Sequence, residues 1–260
     1  MSIKIIDWLR LPAAEKIKDI DDFSTSEMHS AIIQQKTFLK RIYTEFYKEF
    51  KKVGNEFPGG LLVELGSGGG FIKTVIPNVV TSDIISSSIV DMQFSALNMP
   101  FGDETVDAFF MLDVLHHLDD VFTFFKGLDR CLKVGGKTVM IEPANSFWSR
   151  FVYKNFHHEP FDPSVGWSLK ETGRLSSANG AIAWIVFFRD RMWFQKEFPR
   201  LKIIKLKSHT PFRYLVSGGV SMRQLLPSFT YDIIRGIEIL LSPFNRYIGM
   251  FLTIEIMKVS

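Results

Sequence analysis

The sequence predicts an α/β fold: a doubly wound, mostly parallel sheet preceded by a helical N-terminal segment. Three features carry this prediction. The run 61–65, LLVEL, is short and apolar and opens into glycine at 66, 68 and 70. That pattern marks a buried parallel strand whose carboxyl end turns sharply and approaches a ligand closely. Further apolar runs at 79–83, 107–112 and 137–142 alternate with turn and helix patterns, as a parallel sheet requires. With 46% apolar residues in 260, the chain can bury one large core.

Residues 1–24 read as a lead-in, with a short amphipathic piece at 3–11. Ser26 is a candidate N-cap for one long helix over 27–53, in which Ile32, Ile33, Phe38, Leu39, Ile42, Phe46 and Phe50 recur at helical spacing. This helix either packs on the sheet edge or lies as a lid over the ligand, with His29, Lys36, Arg41 or Tyr43 facing the site. The segment 55–60 breaks the pattern. Strands follow at 61–65, 79–83, near 89–94 and at 107–112. A turn at 100–104, a helix over 120–132 and a strand at 137–142, entered through Gly135 and Gly136, complete the core. Only 11 positions separate Asp83 from Phe94, too few for a crossover helix. The second crossover is therefore expected to be a loop or single turn, leaving that side of the pocket open or covered by another element. Beyond the core, 179–199 reads as a helix. Residues 201–207 and 249–258 alternate as strands, and 210–247 is an insertion with an apolar helix over 231–241.

A net charge of +3 is too small to imply nucleic acid, but its distribution is uneven. From residue 185 onward the net charge is +7, and the preceding part carries −4. The single cysteine, Cys131, excludes an internal disulfide and a cysteine metal cluster, and its helical setting suggests core. No apolar run reaches the about 18 residues of a membrane span, and MSIKIIDWLR lacks a signal-peptide pattern. A reducing, cytoplasmic setting is the expectation.

The loop reads E-x-G-x-G-x-G from Glu64. A dinucleotide fingerprint, GxGxxG, would place its third glycine at Phe71. The pattern instead resembles motif I of the class I S-adenosylmethionine (SAM) dependent methyltransferases. SALNMPFGDETVDAFFMLDVLHHLDD at 95–120 is similar to that family's DAxxLPFxDxSFDxVxxxxVLHHxxD. FKGLDRCLKVGGKTVMIEP at 125–143 is similar to its ExxRVLKPGGxxxxxEP. Three ordered blocks over about 60–143 resemble the type 11-like members.

The resemblance implies a Rossmann-like sheet with an antiparallel last strand, 249–258, inserted beside 201–207. It implies an N-terminal helical lid at 1–55, a SAM-binding core at 56–143 and an acceptor-side segment and helix at 144–200. The last two strands, 201–260, carry a C-terminal cap insertion at 210–247. Carried over by position, Glu64, Gly66, Ser67, Gly68 and Gly70 would contact the methionine part of SAM. Asp83 would accept from the ribose hydroxyls. Ser95, Ala96 and Leu97 would lie beside the adenine, and Leu112 and Asp113 would close the site beneath the sulfonium. Ser95 stands where the family usually has aspartate, so its contact with the adenine amino group is weaker. Asp91 belongs inside a strand and is not expected to replace it.

SAM is already activated, so catalysis is chiefly alignment. A base is needed only when the acceptor must lose a proton. His116 and His117, just past the strand end, and His157 and His158 are the candidate acid/base groups, each with a purely structural role as the alternative. His-His-Glu at 157–159 invites a metal reading. Adjacent histidines point in different directions, however, and no further ligand stands at a suitable spacing, so no metal is expected. Glu142 is expected to mark a strand end, with an acceptor role as an option. The cap is apolar with Arg213, Arg223, Arg235 and Arg246. It suits either an anionic or lipid-linked small-molecule acceptor met through peripheral membrane contact at 210–247, or an ordinary cap with solvated arginines. A non-catalytic SAM-binding protein and an NAD(P)-dependent oxidoreductase are the alternatives. A nucleic-acid acceptor is disfavoured, because LDVLHH stands where amino-methylating relatives carry a DPPY- or NPPY-like motif.

Overall fold

The computed structural model describes residues 10–11, 22–157, 159–169 and 177–260. Its seven strands are β1 (Leu62–Leu65), β2 (Val80–Asp83), β3 (Met92–Gln93), β4 (Val106–Leu112), β5 (Leu132–Pro143), β6 (Leu201–His209) and β7 (Phe251–Lys258). They form one sheet in the order β3-β2-β1-β4-β5-β7-β6. The pairs from β3 to β5 are parallel, and β7 runs antiparallel to both β5 and β6. The sequence expectation of a mostly parallel sheet with an antiparallel last strand therefore holds. Central strands are buried on both faces, which is why they read as near-continuous apolar runs. Phe109 and Phe110 leave β4 on opposite sides. Phe110 stacks on Phe50 at 5.2 Å, and Phe109 meets Phe101 at 6.0 Å.

The N-terminal helix expected over 27–53 is two helices, α1 (Phe23–Gln35) and α2 (Thr37–Gly54). Asp22, not Ser26, caps α1 by accepting from the Ser24 N–H at 2.7 Å. The break falls at Lys36, whose backbone is extended. Its ammonium donates to the carbonyl oxygens of Ser217 (2.8 Å), Gly219 (2.7 Å) and Met222, and burial lowers its pKa to about 8. A tertiary latch, invisible to helical periodicity, thus decides where the helix breaks.

Both early crossovers are short. A single 3-10 turn, Ile72–Thr74, connects β1 to β2, and no helix connects β2 to β3. Part of the missing cover comes from α2. Tyr47 packs edge-on against Phe71 at 5.1 Å, and its hydroxyl occupies the space that a Cβ on Gly70 would need. Farther along, Ile84 and Ile89 stay half exposed, so of the two expected outcomes, open or covered, this stretch shows the open one.

After β4, α3 (Val121–Cys131) is capped by Asp120 accepting from the Thr123 N–H at 3.0 Å, and Cys131 is buried at its end. Regular β4–β5 pairing resumes only at Lys137, after the Gly135 and Gly136 irregularity. Then come α4 (Phe147–Phe156), α5 (Ile182–Trp184), a π-helical turn at Ile185–Arg189 and α6 (Arg191–Glu197). The continuous helix expected over 179–199 is thus interrupted. The Asp190 N–H bonds to the carbonyl of Ile185, and Asp190 also accepts from the Trp167 indole at 3.0 Å. The cap contributes α7 (Arg213–Ser217), α8 (Tyr231–Leu240) and α9 (Asn245–Ile248). Of the lead-in, Arg10 and Leu11 pair with the cap near Met222; the rest of the piece at 3–11 lies outside the described residues.

The arginine-rich reading of the cap needs correction. Arg213 is buried, pairs with Glu238 and donates to Glu45 (2.7 Å) and the Tyr231 hydroxyl (2.7 Å). Arg235 pairs with the same Glu45 at 3.0 Å. Arg213 binds cap to lid because a buried guanidinium requires such partners, whereas Arg235 pairs with Glu45 while half exposed.

Replacing Lys36 with methionine keeps the apolar stem but strands three carbonyls. Leaving buried acceptors unpaired costs about 1–3 kcal/mol, and each kcal/mol is worth roughly 2–4 °C in a domain of this size. Thermal unfolding of Lys36→Met is expected to show that loss, and an unchanged midpoint would rule out a latch at this position.

Candidate active site

A cavity of about 450 Å³ opens at the carboxyl ends of β1, β2, β4 and β5, under α1, α2 and the cap. The cofactor-side residues expected from the sequence, from Glu64 and the glycines through Asp83 and Ser95 to Leu112 and Asp113, line it. So do His116, His117 and His157. His158 lies outside the described residues. Of the four lid candidates, His29 and Tyr43 line the cavity. Lys36 turns to the cap, and Arg41 lies over the Tyr231 ring at 3.8 Å and pairs with Asp232.

The glycine loop is shaped by its neighbours. Gly66 has φ +66°, and a Cβ there would stand 2.6 Å from Val114. At Gly69 a Cβ would meet the Ser26 carbonyl oxygen at 2.6 Å, so α1 rests its backbone directly on the loop. Asp83, at the end of β2, accepts from the Gly68 N–H at 2.8 Å and from the Ile85 N–H at 3.2 Å. These bonds hold the carboxylate at the cavity edge, where its remaining lone pairs suit a diol. Because Ile72–Thr74 is only a 3-10 turn, no helix N-terminus stands after the loop to face a pyrophosphate.

Glu64 is fully enclosed, and its Oε2 has no hydrogen-bond partner. Burial raises its pKa to about 7, against the opposing pull of the Ser67 hydroxyl and with the support of the nearby Asp83 charge. An orphaned buried carboxyl oxygen calls for a cationic donor, and the α-ammonium of SAM is one. The glycine-lined space, the diol-compatible Asp83 and the orphaned Glu64 oxygen together fit SAM. Ser95 directs its hydroxyl into its own turn, accepting from the Leu97 N–H at 3.2 Å. Asp91 accepts from Thr81 and pairs with Lys73, away from the cavity.

The far end is built on the turn after β4. Glu142, fully buried at the end of β5, accepts from the backbone N–H groups of Val114 (2.9 Å) and Leu115 (2.8 Å) and meets His116 Nδ1 at 2.6 Å. Asp113 takes a left-handed backbone, φ +55°, and its N–H donates to the Ile141 carbonyl at 2.9 Å. Such a conformation costs about 1–3 kcal/mol in a non-glycine residue and persists only when its surroundings impose it. Burial pushes the Asp113 carboxyl up to about 8, opposed by His116 and reinforced by Glu142 and Glu159. Burial disfavours the imidazolium of His116, but Glu142 and Glu159 outweigh it and hold its pKa well above the usual value.

Glu159 reaches in from the segment after α4. Its Oε2 lies 3.4 Å from His116 Nε2 and 3.7 Å from His157 Nδ1, and its Oε1 lies 3.7 Å from His117 Nε2. His117 Nδ1 lies 3.3 Å from the Ser177 carbonyl oxygen. Sequence reasoning treated the two histidine pairs separately; the fold brings His116, His117 and His157 to one carboxylate. Tyr153 of α4 and Tyr214 of α7, which no motif marked, complete the aromatic wall.

Residues 63–140 match the model of a family described as a methyltransferase domain, Methyltransf_11. No curated protein sequence matches the chain. Among solved structures, the chain is similar to a SAM-dependent methyltransferase from Thermotoga maritima, described as a possible histamine N-methyltransferase. The identity is 16% over 89% of this chain and 99% of that one, with a TM-score of 0.51. It is also similar to a SAM-dependent methyltransferase from Archaeoglobus fulgidus, at 14% identity over 83% of this chain and 94% of that one, with a TM-score of 0.50. At these identities the likeness is one of fold. The strand order, the fit of the cavity to SAM and the family match over the core lead to one conclusion: the chain carries a class I, type 11-like SAM-dependent methyltransferase domain.

Proposed function

We propose that this methyltransferase acts on an amphiphilic, lipid-linked acceptor taken from a membrane surface. The observation that carries the reading is an exposed apolar face on elements that also line the inner cavity. On α8, Ile233, Ile237 and Leu240 are exposed at helical spacing, while Tyr231, Ile234 and Glu238 face inward. Phe229 and Phe244 flank them, and α9 packs on α4, whose Phe147 and Phe151 are also exposed. The same α4 turns Tyr153 into the cavity, and the cap turns in Tyr214. Among the described residues no helix is long and apolar enough to cross a membrane. The mode of contact is therefore in-plane docking by an amphipathic face.

Bound in the cavity, SAM supplies a methyl group already activated by its sulfonium. Asp83 takes the ribose hydroxyls, Ser95 to Leu97 flank the adenine, and Glu64 receives the ammonium. Leu112 and Asp113 floor the reacting end. Lid and cap exclude water, and alignment of the acceptor falls to the far wall, where Tyr153, Tyr214, His117 and Glu159 face the space. His116, fixed by Nδ1 on Glu142, positions the wall.

Two outcomes test this. An acid whose folded pKa exceeds its unfolded value loses stability for the fold as pH rises, here from about 4.5 through about 7 at Glu64. An ammonium that favours the ionised form reverses this, so S-adenosylhomocysteine is expected to bind more tightly as pH rises from 6 to 8 and to release a proton at pH 6. Titration calorimetry in two buffers of different ionisation enthalpy reads both effects, and Glu64→Gln should abolish them. A pH-independent affinity would remove Glu64 from the ammonium site. Cosedimentation with phosphatidylglycerol vesicles is expected for the native chain and lost in the Ile233→Glu, Ile237→Glu double variant, with S-adenosylhomocysteine affinity unchanged. Absence of native binding at low salt would end the membrane reading.

A further inference from the structure

We infer that the far end of the cavity is a divalent metal site formed by His116 Nε2, His117 Nε2 and the Glu159 carboxylate. These ligand atoms all lie within 4.8 Å of one another. Their separations are the first argument. The distances of 3.4 and 3.7 Å between imidazole nitrogen and carboxylate oxygen are long for charge-assisted hydrogen bonds, which run at about 2.7–2.9 Å. The 3.4 Å separation suits ligands sharing one ion, and the 3.7 Å one reaches that range with a small side-chain shift. Bonds of about 2.0–2.2 Å in tetrahedral geometry put ligand atoms roughly 3.3–3.6 Å apart.

The second argument is the outer shell. His116 Nδ1 faces the Glu142 carboxylate at 2.6 Å, and His117 Nδ1 faces the Ser177 carbonyl at 3.3 Å. Both partners only accept, so each Nδ1 carries hydrogen and each Nε2 faces Glu159; an ion bound there displaces the proton that His116 otherwise carries on Nε2. Metal-ligating histidines are oriented in this way, by a carboxylate or a carbonyl on the other nitrogen. Glu142 is itself fixed by two backbone N–H groups, so the ring of His116 has little freedom. His157 does not complete the set through Nδ1, because that atom accepts from the Glu159 N–H at 3.3 Å.

The third argument is charge. The Glu142 and Glu159 carboxylates flank the two nitrogens of His116, and a divalent cation on Nε2 supplies the counter-charge lost with the displaced proton. Two imidazoles and one carboxylate suit Zn²⁺ or Fe²⁺ over Mg²⁺ or Ca²⁺, and three protein ligands leave further coordination positions. All three ligand residues line the cavity. An acceptor bearing a hydroxyl or an anionic oxygen would ligate there, and a metal so placed lowers the pKa of a bound hydroxyl. The site is independent of the cofactor assignment, since none of its three ligands belongs to the glycine loop or Asp83.

The test is titration calorimetry of the chelator-stripped full chain with Zn²⁺, joined to X-ray absorption at the zinc edge. The expected result is one saturable equivalent whose absorption spectrum reports two imidazoles and a carboxylate. His117→Gln and Glu159→Gln should each weaken it at least 100-fold, and Glu142→Gln should do so by about 10–100-fold. Retained S-adenosylhomocysteine binding identifies variants that still fold. Absence of saturable Zn²⁺ binding, a different ligand set at the zinc edge, or undiminished affinity in folded His117→Gln and Glu159→Gln would overturn the site.

Discussion

The carboxylate of Glu142 is the constraint on which the active end of this molecule depends. It sits at the carboxyl end of β5, wholly removed from water, and such a group persists only when its lone pairs are used. Val114, Leu115 and His116 use them. To reach it, the chain leaving β4 must fold back over the end of β5, and that path forces Asp113 into its left-handed backbone. The same path places Val114 against Gly66, where no Cβ can fit. One buried acid thus shapes the floor of the cavity, crowds the glycine loop into position and aims His116 at Glu159.

A second constraint sets the lid. The crossovers beside β1, β2 and β3 are too short to cover the sheet, so part of the cover comes from the N-terminus. Tyr47 and the backbone of Ser26 press on Gly70 and Gly69, and Lys36 ties the lid to the cap. Arg213 and Glu45 make the same tie a second time through ions. Loop, lid and cap are therefore coupled by packing and hydrogen bonds.

Much of this was legible in the chain. The strands follow from apolar runs, their mostly parallel sheet with an antiparallel last strand from resemblance of the blocks at 60–143, and the short second crossover from the spacing of Asp83 and Phe94. The unread parts have long-range causes. Nothing near Lys36 in sequence announces three carbonyls from the cap, so periodicity ran the helix through it. Arg213 looked solvent-facing because its partners Glu45 and Glu238 lie in other elements. The convergence of His116, His117 and Glu159 was missed because adjacent histidines do diverge along a strand, whereas here they follow one another in a 3-10 turn, Leu115–His117, with ring centroids 4.2 Å apart. Tyr153 and Tyr214 carry no motif and enter the site only through the packing of α4 and α7.

The central claim, that the cavity above Gly66, Gly68 and Gly70 holds SAM, is tested most directly by thermal unfolding with SAM, S-adenosylhomocysteine, NAD⁺ and NADP⁺ in turn. A ligand at 100 times its dissociation constant stabilises the fold by roughly 2.7 kcal/mol, which raises the midpoint by roughly 5–10 °C in a domain of this size. The account predicts that rise with SAM and its product and none with the nicotinamide cofactors. A rise with NAD⁺ or NADP⁺ and none with SAM or S-adenosylhomocysteine would contradict it.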